Sequence, residues 1–289
     1  MPPRDKKHYL FVCVILLVIM NIWLLLLDMR SREKVLTFAM LDIGQGDALY
    51  IQSPTGTEIL VDAGPVQKIM GPLMKERSPF DKSIDAVIIT NPDADHIGGF
   101  EEVLQNYNVG MVLEPGTWND SKTFQNLKQE IEKQKIPDML AKRGTRLDIG
   151  GGAYIDILFP DRDVSLWNSN DGSIVARLSY GDTSVMLTGD ATALTEKIIL
   201  AENAPTQLQS DILKAGHHGS RTSTSSGFVK ALSPAYALIS DGRDNKYGHP
   251  HRETLDTLEK AGAKVLRTDL LSTIVMKSDG KNETFSFIK

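Results

Sequence analysis

The sequence predicts a mixed α/β domain over residues 35–289, carried behind one N-terminal apolar helix. Three observations predict it. From Val35 onward, short strand-like runs alternate with helical ones, as in layered α/β folds. One run, "IDAVIIT" at 84–90, is continuously apolar, as expected of a strand covered on both faces. The composition, 41% hydrophobic and 24% charged over 289 residues, is that of a chain able to build a sizeable core.

The apolar helix comes first. "YLFVCVILLVIMNIWLLLL", residues 9–27, contains one strongly polar side chain, Asn21. At about 1.5 Å per residue it would reach roughly 28 Å, close to the hydrocarbon thickness of a bilayer. The following "DMRSREK" offers no small-residue cleavage site, so the run reads as an uncleaved signal anchor. Residues 1–8 form a short tail and 28–34 a juxtamembrane linker. Arg4, Lys6 and Lys7 before the span balance Arg30, Arg32 and Lys34 after it. The short tail and large following domain favour a single-pass cell-membrane protein with its domain extracytoplasmic.

Cys13 is the only cysteine, which excludes an intramolecular disulfide, a thiolate zinc cluster and a redox pair. The formal net charge of -5 argues against passive coating of nucleic acid. It does not exclude an enzyme, because bound divalent cations reverse the field locally.

Within the domain, "VLTFAMLDI", "DALYIQS" and "EILVDAG" are expected strands joined by turns at "GQGD" and "PTGT". Gly44 and Gly46 resemble a phosphate loop, but no helix follows, so a hairpin turn is expected. "IGGFEEVLQNY" has helical spacing, with Phe100, Val103, Leu104 and Tyr107 on one side. "SKTFQNLKQEIEKQK" is a polar helix. Strands follow near Leu147, Ile155 to Leu158, "SIVARLSYG" and "TSVMLTGD". Then come a helix near "ATALTEKIILAEN", the strand "SDILKAG", a helix near "SSGFVKAL", the strand "AYALIS", the helix "RETLDTLEKAG" and two final strands.

Potential ligands recur where predicted strands end. Asp62 closes "EILVDAG", and Asp93, Asp95 and His96 follow "IDAVIIT" in "TNPDADHIGG". Asn170 and Asp171 precede "SIVARLSYG", Asp190 closes "TSVMLTGD", and His217 and His218 follow "SDILKAG". Strand ends along one sheet edge meet in space, which is how open sheets build sites. Imidazole and carboxylate ligands leave positions open for water, and a carboxylate can bridge two ions roughly 3.5–4 Å apart for displacement at phosphorus. Each residue also has a bland role: Asp62 as a cap or scaffold residue, Asp93 and Asp190 as helix caps, the histidines as surface groups.

Together these residues carry a resemblance. The order Asp62, "NPDADHIGG", "LTGDA" and "LKAGHHGS" resembles the metallo-β-lactamase superfamily. "LDIGQGDALYIQSPTGTEILVDAG", "NSNDGSIVARLSYGDTSVMLTGD" and "DNKYGHPH" look like the extracytoplasmic domain of ComEC-type competence proteins. The resemblance spans nearly all of residues 35–288. It implies a four-layer αββα sandwich with a metal site along one edge and a hydrolase that cuts phosphodiester bonds, with DNA as substrate, through a hydroxide generated at the metals.

Carried over residue by residue, Asp95 and His96 match second-metal ligands, Asp190 the bridging carboxylate, and His217 or His218 the last histidine, with His217 the preferred ligand beside Asp95, His96 and Asp190. Asp93 stands where the wider family has histidine, and Asn91 departs from histidine as well. Asp93, Asp190 and Asn91 or Asp171 are the expected donors to the first ion, with Asp95 and Asp93 at the catalytic centre. Replacing imidazoles by oxygen donors shifts the first site toward Mn²⁺ or Mg²⁺, with Zn²⁺ or Mn²⁺ at the second. His249, Lys214 and Arg221 are candidate substrate contacts, and Asp62 is structural beside the site. One span cannot form a DNA-uptake pore, so transport would need a separate membrane channel or competence partner. Two other readings stand beside this one: a hydrolase of lactam, lactone or thioester bonds, and a degenerate domain that binds nucleic acid or a partner without catalysis.

Overall fold

In the computed structural model the backbone is described for residues 4–31 and 34–288, with side chains described for 8–23 and 34–288. A helix covers Arg4–Ser31. The apolar run at 9–27 lies within it, and the side chains of 24–27 are outside the described residues. Among the described residues no helix is long and apolar enough to cross a membrane.

Besides a small parallel pair of strands, Ser83–Ile84 with Asn108–Val109, the rest is two large sheets with helices outside them. The first has eight strands, in the order Glu283–Ile288, Thr273–Ser278, Leu36–Met40, Leu49–Gln52, Glu58–Val61, Ala86–Ile88, Val112–Glu114, Asp138–Leu140. The second has seven, in the order Lys264–Arg267, Tyr236–Ile239, Ile212–Lys214, Thr183–Leu187, Val175–Tyr180, Ala153–Phe159, Arg146–Gly150. Each sheet joins antiparallel hairpins to a parallel run. Leu49–Gln52 pairs antiparallel with Glu58–Val61, which pairs parallel with Ala86–Ile88. Likewise Val175–Tyr180 pairs antiparallel with Thr183–Leu187, which pairs parallel with Ile212–Lys214.

Strand periodicity explains the layers. Leu36, Phe38 and Met40 alternate with Ala39 and Leu41, and all five are buried. The first set packs between the sheets with Ile59, Val61 and Ile88 against Ile155, Leu178, Val185 and Leu238. The second set packs outward with Phe100, Val103, Leu127 and Ile131. A third cluster, with Met186, Leu213, Ile199, Phe228, Val229 and Leu258, fills the space under the helices of the second sheet. Both sheets are thus covered on two faces, which makes an αββα sandwich.

Helix ends follow local chemistry. Ser121 opens the helix Lys122–Gln134 by accepting from the Phe124 N–H at 3.3 Å, and Lys135 closes it in a left-handed conformation. Phe124, Leu127 and Ile131 form its buried stripe. Buried Glu196 accepts the Thr224 and Ser225 N–H groups at 2.5 and 2.9 Å, which ties the helix Ala193–Glu202 to the start of Ser226–Leu232.

Two expectations need correction. Three strands follow the helix Arg252–Lys260, not two, because Lys264–Arg267 joins the second sheet while Thr273–Ser278 and Glu283–Ile288 return to the first. The "GQGD" segment does connect a hairpin, but it is more than a turn. A Cβ on Gly46 would lie 2.2 Å from the Asp95 carbonyl oxygen, so only glycine lets this loop press against the loop of Asp95. Asp47 N–H then donates to that same oxygen at 3.2 Å.

Candidate metal centre

The site lies where strands of both sheets end. The strand Ala86–Ile88 runs through Asn91 and Asp93 into the short helix Ala94–Ile97, which carries Asp95 and His96. Asp190 follows Thr183–Leu187, and its parallel neighbour Ile212–Lys214 leads into the turn Gly216–Gly219. There His217 and His218 take φ of 49° and 54°. Each non-glycine residue in that region costs roughly 1–2 kcal/mol, and together the two turn their rings toward Asp190.

His96 is fully buried. Its Nδ1 lies 2.9 Å from Asp62 Oδ2, and since a carboxylate accepts, the proton belongs on Nδ1. Its Nε2 faces Asp190 Oδ2 at 3.2 Å. His218 repeats the arrangement: Nδ1 donates to the Ser240 carbonyl at 3.0 Å, and Nε2 lies 3.4 Å from Asp95 Oδ2 and 3.6 Å from Asp190 Oδ2. Both Nε2 atoms are buried without a hydrogen-bond partner, as is Asp190 Oδ1. A metal-ligating histidine has this form, one nitrogen tied back and the other presented. Potential ligand atoms of Asp95, His96 and His218 fall within 4.8 Å of one another, as do those of Asp47, Asp190 and His218. The residues therefore fit a divalent ion.

The electrostatics agree with a cation site. Burial opposes an imidazolium at His96, but the Asp190 and Asp62 carboxylates outweigh it and hold its pKa well above the ordinary range. Burial is likewise outweighed at His218 by Asp190 and Asp47, which push it up to about 10. Burial also opposes ionisation of Asp190, yet His96 and His218 hold it well below the usual carboxylate range. A bound ion would take over the role of these protons, so metal uptake should release protons.

The sequence candidates divide. Asp95, His96, Asp190, His217 and His218 come together, but the expected preference for His217 needs correction: its Nε2 lies 3.7 Å from Asp190 Oδ2 at a more open position, and it is His218 that falls into the convergent ligand groups. Asp62 touches His96 and accepts from the Thr90 N–H and hydroxyl at 2.8 and 2.5 Å, so it orients the imidazole. Asn91 is fully buried and its Oδ1 accepts the Asp93 N–H at 2.9 Å, a local turn bond. Asp93 itself accepts from Asn119 at 3.2 Å and Ser169 at 2.8 Å. Asp171 accepts from the Thr192 hydroxyl at the start of the helix Ala193–Glu202, away from the clusters just named.

Of the expected substrate contacts, Lys214 requires correction. It has 0% exposure, with its ammonium paired to Asp47 and donating to the Gly189 carbonyl at 2.7 Å, so no substrate can reach it. Arg221 is exposed. His249 sits at the rim, its ring centroid 5.6 Å from that of His217, and burial with the neighbouring His218 lowers it to about 4, so the ring is neutral. The sequence reading missed Asp47. It is 1% exposed and lies between Lys214 and His218. The signal available was an acid directly after a glycine-framed loop.

Behind Ser240, Asp241 is buried, and burial with the nearby Asp269 carboxylate pushes it up to about 7 despite Arg267. A raised acid pKa means that native stability falls as pH rises from about 4 toward 7. Asp241→Asn is therefore expected to raise Tm by a few degrees at pH 8 and to leave it unchanged at pH 4, read by thermal melts at both pH values.

Compared with known proteins, residues 41–240 match the family model described as the metallo-beta-lactamase superfamily. Curated relatives include ComE operon protein 3 of Bacillus subtilis (strain 168), 30% identical over 264 residues, covering 86% of this chain and 34% of that protein. Competence protein ComA of Neisseria gonorrhoeae is 27% identical, covering 79% and 30%. Recombination protein 2 of Haemophilus influenzae (strain ATCC 51907 / DSM 11121 / KW20 / Rd) is 30% identical, covering 79% and 27%. The chain thus spans about a third of the length of these relatives. Among solved structures, CmlA, a diiron beta-hydroxylase from Streptomyces venezuelae, superposes with a TM-score of 0.51 at 17% identity, covering 89% of this chain and 54% of that one. At that identity the likeness concerns the fold alone.

Proposed function

The chain belongs to the metallo-β-lactamase superfamily, and from that premise we propose that it is a membrane-anchored, metal-dependent phosphodiesterase acting on DNA. The observation that carries the reading is the pair of buried imidazoles, His96 and His218, whose unpartnered Nε2 atoms point at Asp190 while their Nδ1 protons are tied back. Asp95, His96, Asp190 and His218 would hold the ion, with His217 beside them. Two oxygen and two nitrogen donors suit Mn²⁺ or Zn²⁺. A divalent ion there supplies Lewis acidity toward a phosphoryl oxygen and lowers the pKa of water.

The chain's own groups provide the geometry. Asp62 and the Ser240 carbonyl fix the two rings, and Asp47 and Lys214 fill the floor beneath Asp190. His249 flanks His217 at the rim, their ring centroids 5.6 Å apart, beside the place where a phosphate would enter. Similarity to proteins named for competence and recombination points the substrate toward DNA. Membrane anchoring is supported by the 9–27 run: Leu10, Phe11, Leu16, Ile19, Ile22 and Trp23 are all exposed along the helix, an apolar surface that water disfavours. Its described part, 8–23, is shorter than the about 20 residues a span requires, and the sequence continues apolar through Leu27. On this reading the domain is extracytoplasmic, and any role in DNA uptake uses a separate membrane channel.

The full chain, purified in detergent and given Mn²⁺, is expected to degrade single-stranded DNA and to hydrolyse bis-p-nitrophenyl phosphate. No hydrolysis of either with any divalent ion overturns the proposal. Turnover of nitrocefin in their place would move the chemistry to lactam bonds.

A further inference from the structure

We infer that this chain builds a centre for a single divalent ion, held by Asp95, His96, Asp190 and His218, and that Asp93 is a loop tether in place of a ligand to a second ion. The inference rests on the metal-centre reading above and narrows it from two ions to one.

A second ion sharing Asp190 needs that residue's other oxygen and further donors converging on the same point. The sequence nominates Asn91, Asp93 and Asp171, and each is committed elsewhere. Asn91 spends its amide oxygen on the Asp93 N–H, and its nitrogen reaches Ser173 Oγ at 3.4 Å. Both oxygens of Asp93 accept hydrogen bonds, Oδ1 from Asn119 and Oδ2 from Ser169. These bonds tie the loop after Ala86–Ile88 to two loops that lie outside it. Asp171 serves the end of the helix Ala193–Glu202 through Thr192. Among the described residues neither Asp93 nor Asp171 falls into a group of acids and histidines whose ligand atoms converge.

The charge on the far side of Asp190 points the same way. Lys214 Nζ lies 3.9 Å from Asp190 Oδ1, too far for a hydrogen bond but close enough to compensate its charge. The ammonium cannot withdraw, since Asp47 and the Gly189 carbonyl hold it and the side chain is fully enclosed. A fixed cation thus occupies the Asp47–Asp190 side of the centre and repels a second ion from it. On the other side of Asp190, His96 Nε2 and His218 Nε2 remain open.

The test is metal uptake by the full chain, stripped of metal and then titrated with Mn²⁺, read by elemental analysis and electron paramagnetic resonance. One ion per chain with a magnetically uncoupled spectrum is expected. Asp93→Ala should still take up one ion, with affinity within a few-fold of the parent, whereas Asp95→Ala should hold no stoichiometric ion. Two ions per chain, an exchange-coupled spectrum, or loss of an ion in Asp93→Ala overturns the inference. No uptake by the parent chain overturns the metal-centre reading itself, and one ion bound without phosphodiester hydrolysis overturns the proposed activity while leaving the single-ion centre intact.

Discussion

His96→Ala is expected to abolish stoichiometric metal binding and to lower phosphodiesterase activity by roughly a thousandfold or more. Lewis-acid stabilisation is worth several kcal/mol, and each 1.36 kcal/mol is tenfold in rate. The residue is suited to so large an effect because Nδ1 is fixed on Asp62 at 2.9 Å while the unpartnered Nε2, 3.2 Å from Asp190, is the atom presented to the ion. Truncation removes a ligand and strands two buried carboxylates, so some loss of stability accompanies it. Asp62→Asn separates the two consequences. It keeps the ligand but loses the acceptor that fixes the ring, and substitutions of this type lower metal affinity by about 10- to 100-fold. Metal titration of both variants, with circular dichroism to verify folding, checks the order. An Asp62→Asn chain that binds metal as tightly as the parent would show that Asp62 only supports the loop.

Asp47→Asn should destabilise the fold by roughly 3–5 kcal/mol, because it leaves the Lys214 ammonium buried without its counter-ion. For a domain of this size that corresponds to a fall in Tm on the order of 10 °C. The double variant Asp47→Leu with Lys214→Met should recover most of the loss, since a buried pair replaced by apolar groups of similar volume is often neutral. Burial opposes ionisation of Asp47, but Lys214 and His218 outweigh it and lower its pKa. The stabilising contribution is therefore complete above the unfolded value of about 3.9 and is lost as pH falls through the lower native value. The Tm gap between parent and Asp47→Asn should be constant from pH 5 to 8 and close on further acidification. A gap that persists at low pH would show that Asp47 acts through packing alone.

Much of the fold was legible in the letters. The helices expected at "SKTFQNLKQEIEKQK", "ATALTEKIILAEN" and "SSGFVKAL" form at Lys122–Gln134, Ala193–Glu202 and Ser226–Leu232, where the structure shows Ser121, Thr192 and Ser225 capping them. The expected strands form at 36–40, 49–52 and 58–61, and their near-complete burial, with only Thr37 and Gln52 partly exposed, reflects helices on one side and a second sheet on the other. The short edge strand Asp138–Leu140 went unread because its residues are exposed and carry no alternation. The third strand near the C-terminus, Lys264–Arg267, was hidden for a similar reason, with two charged residues in four and only Leu266 buried.

Within the site, the sequence by itself determined which chemistry was available: Asp95 beside His96, an acid after Thr183–Leu187, and paired histidines after Ile212–Lys214, all at strand ends that a layered sheet must bring to one rim. Only the tertiary structure decided how those groups are used. Distances of 3 to 4 Å depend on loop paths such as Gly46 against Asp95, and hydrogen bonds from distant residues decide which lone pairs remain open. Asn119 and Ser169 occupy Asp93, Asp62 and Ser240 free the Nε2 atoms of His96 and His218, and Asp47 draws Lys214 inward from the surface position its charge would favour. A residue type states what bonds a group can make; the partners that reach it first, through contacts far apart in the chain, select the bond it does make.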